Sequence, residues 1–222
     1  MIEFLSQPIV LAVWLAAVAV SLVIVVRDLR ENNSHLMSLM KAVWVLTVAY
    51  SGPLGLTIYW LTGRSAISSD GTARRAFRSV AHCYSGCGMG EIVGVSLAAG
   101  LLGLGNWTTA IVTFALAYLF GFALTVGPMV QNGVAFRQAM KDAAIAETPS
   151  ITVMELVAIL IGLYVAGGAE MGETLFWTSL ILSLSCGLLA AWPVNVVLIR
   201  KGVKEGMMDP RHTHHGHGAQ DA

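Results

Sequence analysis

Charge is scarce in this sequence. Of 222 residues only 12% are Asp, Glu, Lys or Arg, against 56% hydrophobic. A soluble domain carries roughly a quarter charged residues, and half that share leaves too little polar surface to cover a globule in water. Thirteen Lys and Arg balance thirteen Asp and Glu, so there is no basic excess to suggest nucleic acid as a partner. Long polar stretches are also missing. The longest are 62–78, 131–150 and the tail from 200 to 222, none large enough to fold alone. Three cysteines are too few for a disulfide scaffold. No phosphate-binding glycine loop occurs, so transport by this chain would draw on a gradient or a partner. No nucleophile–base pair or hydrolytic metal triad stands out, so an enzyme is not expected and no organic cofactor is implied.

What the chain has is apolar length. The hydrocarbon core of a bilayer is ~30 Å thick and takes roughly 20 apolar helical residues to cross. Six runs approach that length: Pro8 to Val26, Ala42 to Leu61, Val80 to Leu104, Thr108 to Val130, Ile151 to Ala166 and Leu175 to Ile199. The runs are continuous rather than alternating, which selects helices over a barrel. The expected fold class is therefore all-α, a polytopic transmembrane bundle of about six helices forming one domain over residues 1–206. The lipid bilayer is its first partner, and a bundle this thin leaves room for a homodimer. The first run lacks a basic start and a small-residue cleavage site, so it reads as a retained helix.

Lys and Arg concentrate on the cytoplasmic side of membrane proteins. With both termini inside, ten basic residues fall inside and three outside, namely Arg27, Arg30 and Lys41 in the first loop. The expectation is a multi-pass protein of the bacterial inner membrane with both ends cytoplasmic, and the first loop runs against it.

The chemistry concentrates in the third run, His82-Cys83-Tyr84-Ser85-Gly86-Cys87-Gly88-Met89-Gly90-Glu91. Residues four apart share a helix face. Cys83, Cys87 and Glu91 form one stripe; His82, Gly86, Gly90 and Gly94 form the next. Small residues at that spacing let helices approach closely in lipid. An ionisable residue at membrane depth is a functional candidate by default, with cross-helix hydrogen bonding of a neutral Glu91 as the plainer alternative. Thiolate and thioether ligands favour Cu(I) and similar soft ions, so His82, Cys83, Cys87, Met89 and Glu91 are candidate metal ligands. A disulfide is disfavoured, because cysteines one helical turn apart have poor bridging geometry. Cys186 reads as packing.

Met154 and Glu155 open the fifth run at a depth matching the thiols. Glu155 could equally serve its own helix N-terminus. Glu170-Met171-Gly172-Glu173 follows that run, with Met171 a candidate transit ligand and an acidic loop the duller reading. The tail carries His212, His214, His215 and His217, a metal-gathering composition. An expression tag is the rival. The tail, 207–222, is expected to be disordered and cytoplasmic.

The chain resembles an uncharacterised family of bacterial inner-membrane proteins, the domain of unknown function 4396 family, over residues 72–206. The likeness rests on His82-Cys83-x-x-Gly86-Cys87-x-x-Gly90-Glu91 and Gly121-Phe122-Ala123-Leu124-Thr125. It continues through Ala146-Glu147-Thr148-Pro149-Ser150-Ile151-x-x-Met154-Glu155, Phe176-Trp177-x-Ser179-Leu180 and Pro193-Val194-Asn195. The resemblance implies that the His-Cys-Cys-Glu and Met-Glu elements belong to a functional core in a copper and heavy-metal context. It departs in the fifth run, where Gly167-Gly168-Ala169-Glu170-Met171 stands for the family's Pro-Gly-Ala-Met. A looser likeness joins Gly86-Cys87-Gly88-Met89-Gly90 to transporters that relay sulfur-containing anions such as thiosulfate on cysteine. The expected function is a transporter or binding protein for a soft metal ion, Cu(I) first. Anion transport and a non-transport assembly subunit are the alternatives.

Overall fold

The computed structural model describes residues 1–207 and 209–211, and these form helices joined by short turns, with no strand among the described residues. A short α1 (Ile2–Leu5) precedes α2 (Pro8–Glu31), which Pro8 opens where a missing N–H costs nothing. Then come α3 (Ser38–Ser51), α4 (Pro53–Thr62) and α5 (Thr72–Val95), the last continuing as a π-helical segment, Ser96–Leu101. The chain closes with α6 (Asn106–Gln131), α7 (Phe136–Ala166) and α8 (Thr174–Arg200). Four helices, α2, α6, α7 and α8, are long and apolar enough to cross a membrane. Large apolar side chains lie exposed along their outer faces, among them Val13, Val23, Leu119, Leu160 and Leu189. Such surface is ill suited to water and well suited to lipid.

The second apolar run corrects the expected six crossings. Its 20 or so residues do not form one helix. Gly52, at φ +52°, divides it into α3 and α4. The two pack side by side: Trp44 meets Tyr59 with ring centroids 5.2 Å apart, and a Cβ on Gly55 would press on Thr47 and Val48. The tip at Gly52 sits against Trp14 and Val18, partway along α2. The far end returns to the end of α2, where Asp28 Oδ2 accepts hydrogen bonds from Tyr59 at 2.6 Å and Arg64 at 3.0 Å. Asn33 donates to the same oxygen at 2.8 Å and accepts from the Ser65 amide at 2.7 Å. Residues 28–37 and 62–71 therefore share one end of the bundle, and α3–α4 is a folded-back hairpin.

The hairpin also resolves the charge pattern. Arg78 donates to Thr62 O and Met207 O, Arg75 to Glu205 O, and His35 contacts Pro210 O at 2.7 Å. The segment after α8 therefore lies at the same end as the α2–α3 turn. The α6–α7 turn joins them, because α6 runs antiparallel to α5. All thirteen Lys and Arg fall in segments at this end, called here the basic end. The start of the chain lies opposite: Leu5 O accepts a hydrogen bond from Thr178, in the first turns of α8. The described ends of the chain thus sit at opposite ends of the bundle.

At the centre, α5 buries sixteen of its 24 residues, which explains how so polar a helix can stand among apolar ones. Its glycine stripe is the seam foreseen. A Cβ on Gly86 would lie 2.8 Å from Gly121 Cα, on Gly90 2.5 Å from Ala117 Cα, and on Gly94 2.8 Å from Thr113 Cα. No side chain fits there, so α5 and α6 meet backbone to backbone. Helix α7 also differs from expectation. It begins at Phe136, takes in most of the polar piece 131–150 and carries Pro149 in its interior.

Candidate functional site

One face of α5 and one face of α7 meet inside the bundle. From α5 come Cys83, Cys87 and Glu91. From α7 come Glu147, Ile151 and Glu155, four residues apart and so on one stripe. All six are buried, and they form two unlike groups.

Near the basic end the polar atoms are satisfied. The Cys83 thiol donates to Glu147 Oε2 at 2.5 Å, and Lys204 Nζ reaches the same oxygen at 2.7 Å and Cys83 Sγ at 3.6 Å. Lys204 arrives from the segment beyond α8, across the basic end of the bundle. Its ammonium pKa would fall through burial alone, but Cys83 and Glu147 outweigh that and hold it above the ordinary lysine value. His82 is buried within electrostatic reach of Glu147 and Lys204.

Midway along the bundle the polar atoms are not satisfied. Glu155 is 1% exposed and both its carboxyl oxygens lack a hydrogen-bond partner among the described residues; Glu91, 7% exposed, leaves Oε2 bare. The two carboxyls are close enough for their charges to interact, and Cys87 lies beside Glu155. Cys87 also makes a long contact, 3.9 Å, to Ala117 O, and its thiol is within interaction range of the Glu155 carboxyl.

Glu91 also lines a cavity of about 570 Å³ at the end opposite the basic residues. The walls include Asn106 and Thr113 of α6, Ser183 of α8, and Glu170 and Met171 of the α7–α8 loop. The hydroxyls there already spend their protons on backbone carbonyls: Thr109 on Leu104, Thr113 on Ala110, Ser179 on Phe176 and Ser183 on Leu180. Asn106 likewise donates to Gly167 O at 2.6 Å. What the hydroxyls offer a guest is lone pairs, together with the Glu91 carboxyl, while Asn106 keeps one N–H. No Lys or Arg stands at this end. The cavity suits a cation or a hydrogen-bond donor and repels an anion.

The expected ligands are dispersed by comparison. Met89 lies two residues from Cys87, on another side of α5, and is half-buried. Met154 is buried in the α7–α8 seam, against the space a Cβ on Gly187 would take. Met171 stands at the cavity wall beside Gly100. Cys83, Cys87 and Cys186 are free thiols. Among the described residues no three His, Cys, Asp or Glu side chains converge tightly enough to hold a metal ion. His212, His214, His215 and His217 lie outside the described residues.

Two participants escaped the reading of the sequence. Glu147 was signalled by its eight-residue spacing from Glu155, but the expected helix began after it. Lys204 had no local signal, since 121 positions separate it from Cys83.

A family model described as Domain of unknown function (DUF4396) matches residues 72–204, more than half of the chain. The chain belongs to this family. The match covers α5 to α8 and ends on Lys204, so the DUF4396 portion holds both polar groups and the whole cavity wall. Neither a curated protein nor a solved structure matches the chain.

Proposed function

We propose that this DUF4396 protein is an inner-membrane cation transporter whose cargo is a soft transition-metal ion, Cu(I) first. The observation that carries the reading is the cavity ending on the buried Glu91, whose Oε2 has no hydrogen-bond partner among the described residues, with Cys87 one helical turn further in. A cation entering there meets the Met171 thioether, then the Glu91 carboxyl, then the thiols, so soft sulfur donors stand at the mouth and at the inner end. Transit requires sites strong enough to admit an ion and weak enough to release it, and the scattered ligands suit passage rather than permanent residence.

The arrangement in the membrane follows from charge. With the basic end cytoplasmic, α2, α5, α6, α7 and α8 cross, α3–α4 re-enters from the cytoplasmic side, the chain starts outside and the cavity opens outside. Arg27, Arg30 and Lys41 then obey the rule they seemed to break. Transport of a sulfur-containing anion is the second reading. Lys204 beside Cys83 favours it; the absence of any Lys or Arg from the cavity wall weighs against it.

The test is metal uptake into proteoliposomes of the purified chain, with Cu(I) held by a reducing buffer. The expected result is uptake that Cys83→Ser with Cys87→Ser reduces at least about tenfold, loss of a thiolate–metal bond being worth more than ~1.4 kcal/mol. If the double variant carries and binds Cu(I) as the parent does, thiol ligation is wrong. Thiosulfate uptake without copper uptake would favour the second reading.

A further inference from the structure

The cavity that opens away from the basic end is larger than a single ion needs. Its volume is about 570 Å³, within the range of small-molecule sites, roughly 300–1,000 Å³, whereas one water takes about 30 Å³. Its walls are layered. Helices α5 and α7 run outward from the basic end, and α6 and α8 run back toward it. The innermost wall residue that each contributes, in chain order, is Glu91, Thr113, Ala158 and Ser183. All but Ala158 are polar. One turn outward stand Val95, Ala110, Gly162 and Leu180, with Phe176 beyond them. The hydroxyls at that level, on Thr109 and Ser179, are turned to the carbonyls of Leu104 and Phe176. The cavity therefore has a polar floor beneath an apolar waist.

The floor offers acceptors and holds no cationic side chain. Glu91 is 7% exposed, and its Oε2 has no hydrogen-bond partner among the described residues. The terminal torsion of a glutamate is soft, so either oxygen can turn toward a guest. Thr113 and Ser183 give their protons to Ala110 O at 3.0 Å and Leu180 O at 2.9 Å, which leaves lone pairs on both. Helix packing fixes their level: Thr113 abuts Gly94 in the α5–α6 seam, and Ser183 Oγ lies 3.8 Å from the Cβ position of Gly162. A carboxyl and two hydroxyls match the three N–H donors of a primary ammonium, and the waist matches a hydrocarbon body. A quaternary ammonium has no N–H and is held by aromatic cages, whereas Phe176 is the one aromatic side chain on this wall. An organic anion would meet Glu91 with no Lys or Arg to offset it.

We propose that this cavity is a binding site for a primary organic ammonium ion, its head on Glu91, Thr113 and Ser183 and its hydrocarbon body along the waist. This goes beyond the transporter reading. The two share the cavity and Glu91, but the ammonium site uses neither the thiols nor a metal and is tested without either.

The ligand to use is radiolabelled phenethylammonium, in equilibrium binding to the whole chain in nanodiscs, with empty nanodiscs subtracted for partition into lipid. Saturable binding is expected. The N,N,N-trimethyl analogue should bind at least about tenfold more weakly, having no N–H to donate, and phenylpropionate should not compete. Glu91→Gln should weaken phenethylammonium at least about tenfold, since a hydrogen bond between charged groups is lost. Gly162→Val makes only an ordinary Cβ contact with Ser183 and sends its methyl groups into the waist; it should weaken binding while Tm stays at the parent value. Cys83→Ser with Cys87→Ser should bind phenethylammonium as the parent does. The absence of saturable binding, equal binding of the trimethyl analogue or of phenylpropionate, or parental affinity in Glu91→Gln would overturn the proposal. Phenethylammonium binding without copper uptake would leave this site standing and sink the copper reading. Copper uptake without saturable phenethylammonium binding would remove this site alone.

Discussion

Glu147 and Glu155 stand two turns apart on one face of α7, equally buried, and could hardly be treated more differently. Around Glu147 a thiol and an ammonium from two other segments converge on one oxygen. Around Glu155 both oxygens lack a partner among the described residues. A fold tolerates a buried ion pair when its hydrogen bonds are complete, and the Glu147 cluster has the form of a seal. It ties α5, α7 and the segment after α8 together at the basic end, opposite the cavity. A bare buried carboxyl has no structural return, so the middle of the bundle is where function is to be sought. The difference teaches that completeness of hydrogen bonding, more than burial, separates the group that holds the bundle together from the group that works.

The comparison breaks most readily at Lys204. Lys204→Met leaves the Glu147 carboxylate buried without its cation, a change that costs ~3–5 kcal/mol in comparable pairs. Thermal unfolding of the detergent-purified chain should show a large drop in Tm, and adding Glu147→Gln should recover part of it. A Tm within a degree or two of the parent would mean that the seal is incidental. The same cluster sets a pH expectation. The raised Lys204 pKa gives a contribution that is complete below the ordinary lysine value of 10.5 and is lost as pH rises through the higher folded value. Stability should therefore hold across neutral pH and fall only in strong alkali.

The α5–α6 seam carries the next effect. A side chain at Gly90 would strike Ala117 backbone, whereas Gly168 has open space around its Cβ position. Gly90→Val should cost ~1–3 kcal/mol, the range for overpacking, and Gly168→Ala close to nothing. Equal losses of Tm would sink the backbone-to-backbone reading of that seam.

Much of this architecture could be read beforehand, for identifiable reasons. The bounds of α6 and α8 fall within two residues of the apolar runs, since Gly105, Asn106, Glu173 and Arg200 punctuate them sharply. The glycine stripe was legible because its period is that of the helix. The hairpin was not. A window of apolar residues has the same hydropathy whether it crosses or folds back, and what decides is Arg64 reaching Asp28 across 36 positions. Nothing in the run from Ala42 to Leu61 gives the direction the chain takes after Gly52. Glu147 was hidden because it lies in the polar piece 131–150, outside the apolar run from Ile151 that marked the expected helix.

The smallest effect on stability is the sharpest test of the contrast. The same substitution can be made at both positions of α7. Glu147→Gln removes the anion beneath Lys204 and strands a buried ammonium, which should lower stability by ~3 kcal/mol or more. Glu155→Gln leaves no opposite charge stranded, since the group beside this carboxyl is the Cys87 thiol, and if the carboxyl is neutral the change is nearly isosteric. Its effect should stay within about 1 kcal/mol, the range of substitutions that disturb no established network. Unfolding midpoints of the two variants, measured in one detergent at one pH, give the difference directly. Two equal losses would show that Glu155 is held by contacts as firmly as Glu147, and the division of the bundle into a seal and a working centre would go with it.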